Sequence, residues 1–235
     1  MTGRESIGVQ GLVEDVLGLN IRGLKTIRDS VIAPRKVADA ARDFDWLGVY
    51  TPSIRIGFFL LSALSLLRFI WAPEDGQFFE FLKSQVAQAE SGQSLSEDET
   101  SELIDRYFAV YVAALPFTHL IGQALAALCL PIWGAGTSVV VRLRLHYAAT
   151  IPGLTAGFFL LVLFAFASTA NELLILQGAS FLVAMGFDTT TSFRMLPQTS
   201  FWARAWRAIV FGITATLFGL VTSVGTSIVT SMITF

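Results

Sequence analysis

AIVFGITATLFGLVTSVGTSIVTSMITF, running from Ala208 to Phe235, is 28 residues without a charge. About 20 apolar residues make a helix that crosses the ~30 Å hydrocarbon core of a bilayer, and a soluble fold has no need of an uncharged run of this length. Just before it stands Phe201-Trp-Ala-Arg-Ala-Trp-Arg207, two arginines and two indoles where a helix meets the headgroups. Gly212, Ala215, Gly219, Thr222 and Thr226 recur along it at steps of three and four. Lipid supplies little hydrophobic drive between helices, so close backbone approach over small residues becomes a main source of packing. The stretch reads as a transmembrane helix with one face turned into a bundle.

Working outward, four further apolar stretches read as spans: Pro52–Ala72, Tyr107–Gly134, Tyr147–Thr169 and Leu173–Phe187. The chain is 54% hydrophobic and 14% charged, against roughly 25% charged in soluble domains. The expected fold class is all-α, a polytopic membrane bundle of about five transmembrane helices over residues 51–235, with a cytoplasmic amphipathic segment at 1–50 and an acidic extracytoplasmic loop at 73–105. Threading the spans from the cytoplasm leaves only Arg68, Lys83 and Arg106, of 16 Lys and Arg, on the far side. Lys and Arg near span ends set orientation, so the N-terminus is expected in the cytoplasm of a multi-pass inner-membrane protein. The first 45 residues lack the apolar core of a cleavable signal peptide. The weakest span is Leu173–Phe187, short enough to be re-entrant, and the charge rule keeps it as a crossing.

Residues 6–33 carry Val9, Leu12, Val13, Val16, Leu17, Leu24, Ile27 and Val31 on one helical stripe, and Pro34 ends the pattern. Two placements follow, in the cytoplasmic interface or packed on the cytoplasmic ends of the bundle. Trp46, Trp71, Trp133, Trp202 and Trp206 flank the spans, where indoles favour the headgroup level. The 73–105 loop holds nine acidic residues and one Lys; Phe78–Val86 reads as a short amphipathic helix, and Ser96-Glu-Asp-Glu99 as a capping box opening the helix into the second span. Glu97, Asp98, Glu99, Glu102 and Asp105 read as a solvated first turn favoured by the helix dipole, with no calcium-loop spacing.

Inside the membrane, His119 and Gln123 lie four apart in the second span and share a face, making them the candidate polar site. An intramembrane ionisable group is a functional hypothesis by default, although a neutral His bonded to Gln123, or to a carbonyl freed by Pro116, needs no function. His146 is expected at the membrane edge. Pro116, Pro131 and Pro152 interrupt spans, and a freed carbonyl can line a cavity. Gly153 and Gly157, with Gly212, Ala215 and Gly219, are the expected packing positions. No HExxH, GxSxG, P-loop or paired intramembrane carboxylate is present, so no enzyme, catalytic residue, metal site or cofactor is expected. The absence of buried acids argues against a proton-coupled carrier. Cys129 stands alone, and no basic cluster suggests nucleic acid.

Three stretches resemble a broad group of bacterial multi-pass membrane proteins of unknown function, often built with an N-terminal zinc ribbon, and more distantly the Yip-type five-span proteins. They are Tyr50-Thr-Pro-Ser-Ile-Arg55 with Phe58-Phe-Leu-Leu-Ser62, Leu130-Pro-Ile-Trp133 with Arg142-Leu-Arg-Leu-His-Tyr147, and Phe201–Arg207. The resemblance implies architecture, not activity. The Cys-x-x-Cys ribbon is missing here, and the His-rich start of the third span is reduced to His146, so no metal carries over. The expected function is a non-enzymatic scaffold, assembly or lipid-organising component, with the bilayer and a membrane-protein partner or second copy as its associates. The alternative is a small permease or channel subunit with its path along the second span.

Overall fold

The computed structural model describes residues 21–43, 46–67, 76–77, 79–81, 83–84, 96–134, 136–197 and 200–234. Among these residues the chain is almost entirely helical, with no strand. The helices are α1 (Ile21–Ile32), α2 (Pro34–Arg42), α3 (Trp46–Val49), α4 (Ser53–Leu66), α5 (Glu97–Cys129), α6 (Val139–Leu161), α7 (Ala170–Met195) and α8 (Phe201–Thr234), with 3-10 turns at Pro131–Trp133 and Val162–Phe166. The start of the N-terminal stripe, Arg68, Trp71, most of the acidic loop and Phe235 lie outside the described residues.

Among the described residues four helices are long and apolar enough to cross a membrane: Asp98–Cys129, Val139–Phe166, Ala170–Met195 and Phe201–Thr234. Their polarity is inverted relative to a soluble bundle. Phe117, Ile121, Phe159, Ile175, Leu182, Val221 and Met232 face outward, while Gln123, His146, Thr150, Asp188, Ser192 and Thr226 are buried. The first expected span, Pro52–Ala72, corresponds to α4 of 14 residues, about 21 Å at the helical rise, and its remainder is undescribed. The fourth expected span is corrected. Rather than stopping at Phe187, α7 runs on to Met195 over 26 residues. The Asp-Thr-Thr-Thr-Ser run lowers hydropathy without breaking the helix, because Thr190 and Ser192 hydroxyls bond back to the carbonyls of Gly186 and Thr189. Arg142 and Arg144, expected in a connection, likewise lie in the first turns of α6.

Local chemistry sets the ends. Ser96 and Glu99 form the reciprocal capping box that opens α5, and Ser138 and Thr169 hydroxyls cap α6 and α7. Between α5 and α6 the chain turns through Gly134 and Gly136 at φ 113° and 83°, conformations a side chain would strain. Helix α7 packs between α6 and α8, α8 also packs on α5, and α4 lies across α5 and α6. Three of the expected packing positions sit at close approaches. A Cβ on Gly153 would overlap Asp188, one on Gly212 would overlap Thr189, and one on Gly219 would lie 3.4 Å from the His119 ring. Ala215 is buried, whereas a Cβ on Gly157 meets nothing within 4 Å.

The N-terminal helices cap one end of the bundle. Val37, Ala38 and Ala41 of α2 join Trp46, Trp133, Leu145, Met195 and Phe211 in one apolar cluster. Trp46 and Trp133 are therefore core residues, unlike the outward-facing Trp202 and Trp206. In α1 the buried side chains are Thr26, Asp29 and Ser30, while Leu24 and Val31 of the apolar stripe, and Ile32 beside it, point outward. Arg194 of α7 donates to the carbonyls of Val31 and Ile32 at 2.7 and 2.6 Å, satisfying the orphan carbonyls at the end of α1. Arg144 reaches Asp43 O at 3.2 Å. The arginines of α6 and α7 thus gather at the end that carries the N-terminal cap.

Candidate functional site

Gln123 is pinned between two neighbours. Its Nε2 donates to Ala215 O on α8 at 2.9 Å, and its Oε1 lies 2.8 Å from His146 Nε2 on α6. Since that amide oxygen only accepts, His146 carries its proton on Nε2. Its Nδ1 has no hydrogen-bond partner, and its ring sits edge-on to Phe211 at 5.0 Å. His146 is fully buried, which corrects its expected place at the membrane edge. The structure also redirects the expected pairing: Gln123 bonds His146, and among the described residues no hydrogen bond joins Gln123 to His119. His119 instead lies beside Gly219, whose missing side chain leaves room for the ring.

Above this knot, toward the end remote from the cap, the four long helices part around a cavity of about 480 Å³. Its inner part is lined by His119, Gln123, Thr150, Asp188, Thr216 and Gly219, its outer part by Tyr107, Tyr111, Gln177, Ser180, Ser223 and Ser227. Leu61 and Leu64 of α4, Phe181 and Leu220 supply hydrocarbon walls, and Phe81 reaches it from the segment following α4. Tyr107 bonds Ser227 at 2.6 Å and Tyr111 bonds Ser223 at 2.9 Å, a ladder joining antiparallel α5 and α8 along one wall. The two tyrosine rings stack at 5.9 Å. On the cap side, the Gln123–His146 knot and the apolar cluster around Trp133 and Phe211 close the bundle.

Asp188 was not identified in the sequence as a buried acid, and the expectation that the spans lack one is corrected. It is 6% exposed, and its Oδ1 has no hydrogen-bond partner. Helix α6 leaves room for it through Gly153, where a Cβ would overlap that oxygen. The sequence did hold a signal: no proline or glycine interrupts the chain from Phe187 until Pro197, so nothing ends the helix before the acid is carried inside. Among the described residues no group of three His, Cys, Asp or Glu side chains is placed to hold a metal.

A second polar cluster lies in the cap. Asp29 accepts from Arg28 Nε at 2.9 Å and from Tyr50 OH at 3.0 Å, with Lys25 Nζ 5.0 Å above the Tyr50 ring. Burial pushes the Asp29 carboxyl upward, but the Arg28 and Tyr50 hydrogen bonds and the charges of Arg28 and Lys25 outweigh it, leaving it below its ordinary value. Burial, then the hydrogen bond and charge of Asp29, push the Tyr50 hydroxyl up to about 12. This cluster tethers α1 to the start of α4; Thr51 N donating to Thr26 Oγ1 at 3.0 Å adds to the tether. Comparison of the chain with protein-family models, curated proteins and solved structures finds no match.

Proposed function

We propose that this chain is a multi-pass inner-membrane protein that binds a small amphipathic solute within its bundle and serves as a small permease or channel subunit. The carrying observation is the cavity of about 480 Å³ between α5, α6, α7 and α8, which joins polar groups from all four helices. Solute sites run from roughly 300 to 1,000 Å³, mostly apolar with a few convergent polar groups. In this reading α4 and the residues after it make a fifth crossing. The N-terminal cap lies in the cytoplasm with the arginines gathered there, and the cavity faces the opposite side. The outward Leu24, Val31 and Ile32 suit a cap resting against headgroups.

The test is thiol labelling in sealed vesicles, on a Cys129→Ser background. Ser180→Cys and Ser223→Cys should react with a small water-soluble methanethiosulfonate, and Gly157→Leu, which adds a side chain in open space, should slow both. Unreactive thiols at both positions would sink the proposal. The scaffold reading also has an observation in its favour. A lateral groove of about 330 Å³ between α5 and α8, lined by Ala114, Thr118, Gly225 and Val229 among others, suits a helix of a membrane-protein partner or of a second copy. That reading predicts a stable associate on purification in mild detergent, and a clean monomer would count against it.

A further inference from the structure

We infer that the cavity takes an amphipathic organic cation, for which the Asp188 carboxylate is the counter-ion. The inference rests on the solute-binding reading above and names its substrate class. An ionised carboxylate out of water is costly unless it is paired, and acids inside membranes mark substrate or ion paths. Asp188 lies on the cavity wall, nine-tenths buried, with Oδ1 unpartnered. Among the described residues lining the cavity there is no Lys or Arg. His119 lines the same space, and among the described residues no hydrogen bond joins it to Asp188.

The walls decide what kind of cation fits. A bare Ca²⁺ or Mg²⁺ needs about six oxygen ligands, whereas Asp188 is the one carboxylate among the described residues lining the cavity, whose walls include Leu154, Phe181, Ala184 and Leu220. Hydrocarbon walls favour a positive charge carried on an apolar body. Tyr111 and Phe181 are also among the lining residues, and aromatic rings attract such cations. Gly153 is the positioning residue: with no Cβ there, the carboxylate tucks against α6 while remaining on the cavity wall.

The experiment uses two probes of one shape and opposite charge, tetraphenylphosphonium and tetraphenylborate. Their binding to the full chain in maltoside micelles is measured by equilibrium dialysis. The cation should bind at least about tenfold more tightly than the anion, as a like charge opposite a desolvated carboxylate is strongly disfavoured. Asp188→Asn should weaken the cation about thirtyfold, the scale of losing one partner of a desolvated charge pair, and leave the anion no weaker. Gly157→Leu should weaken both probes together. Equal affinity of the two probes for the wild type, with both lost in Gly157→Leu, overturns the cation and leaves the solute cavity standing. Asp188→Asn binding the cation as tightly as the wild type does the same. No binding of either probe, or binding untouched by Gly157→Leu, overturns the cavity reading and the inference with it. Should Asp188→Asn not fold, the charge preference of the wild type alone still decides.

Discussion

Replacing Gln123 by leucine removes two buried hydrogen bonds, to Ala215 O at 2.9 Å and to His146 Nε2 at 2.8 Å. Hydrogen bonds between membrane helices average about 0.6 kcal/mol and reach about 1.7. A buried polar group left unpaired costs a further ~1–3 kcal/mol, and His146 would then have neither ring nitrogen satisfied, since Nδ1 already lacks a partner. Gln123→Leu is therefore expected to cost about 2–4 kcal/mol. His146→Phe keeps the ring's size and breaks one bond, for about 1–2 kcal/mol. The double variant should recover roughly 1.5–3 kcal/mol of the sum, because the pair's bond can be lost only once and no unpaired partner is left behind. The assay is reversible unfolding in mixed maltoside–dodecyl sulfate micelles, followed by circular dichroism. A parallel cycle pairs Gln123→Leu with His119→Phe and should be additive within about 0.5 kcal/mol. Coupling to His119 instead of His146 would refute the reasoning, since it would restore the pairing that four-residue spacing alone suggests.

Glycine substitutions should separate by their surroundings: Gly212→Ala, meeting Thr189 and Met185 O, should cost about 1–3 kcal/mol. Gly157→Ala, in open space, should gain roughly 0.5–1 kcal/mol from helix propensity, and equal effects at the two sites would contradict the packing described. The cap should be pH-sensitive at both extremes. Asp29, held below its ordinary value of 3.8, contributes stability above that value and loses it as pH falls through its lowered folded value. Tyr50, raised from 10.0 to about 12, contributes fully below pH 10 and loses its share as pH climbs toward 12. Fluorescence of Trp46, 5.7 Å from the Tyr50 ring, as the sole indole should report both transitions, and Tyr50→Phe should abolish the alkaline one. Arg194→Ala, removing two donors to the end of α1, should increase proteolysis of α1 with little change in bundle melting; an unaltered digestion rate would show that the clamp does not hold the cap. A cysteine appended after Phe235, on a Cys129→Ser background, should react with an impermeant reagent from outside the cytoplasm. Reaction from the cytoplasmic side only would remove one crossing from the topology.

The division between local and tertiary information is visible residue by residue. The capping box at Ser96 and Glu99 and the helix over Ala208–Phe235 were legible because each depends only on neighbours in sequence, on hydroxyl and carboxylate reach or on an unbroken apolar run. The end of α7 was misread because hydropathy is an average. It falls at Asp188-Thr-Thr-Thr-Ser, yet helical hydrogen bonding continues wherever no proline stops it and the hydroxyls return to their own carbonyls. Half the candidate site was legible: His119 and Gln123 both line the cavity. His146 and Asp188 were missed because their burial comes from other helices, Phe211 of α8 and Gly153 of α6.

By itself, then, the sequence determined that these are long apolar helices and which faces carry small and hydroxylated residues, since 3.6-residue periodicity and the cost of an unpaired peptide group in lipid act locally. Only the tertiary structure decided that Gln123 partners His146, that α1 and α2 cap the bundle with Trp46 and Trp133 in their core, and that an acid is carried inside beside a glycine. Those outcomes depend on which helix faces meet at what depth, and packing between segments distant in sequence fixes that.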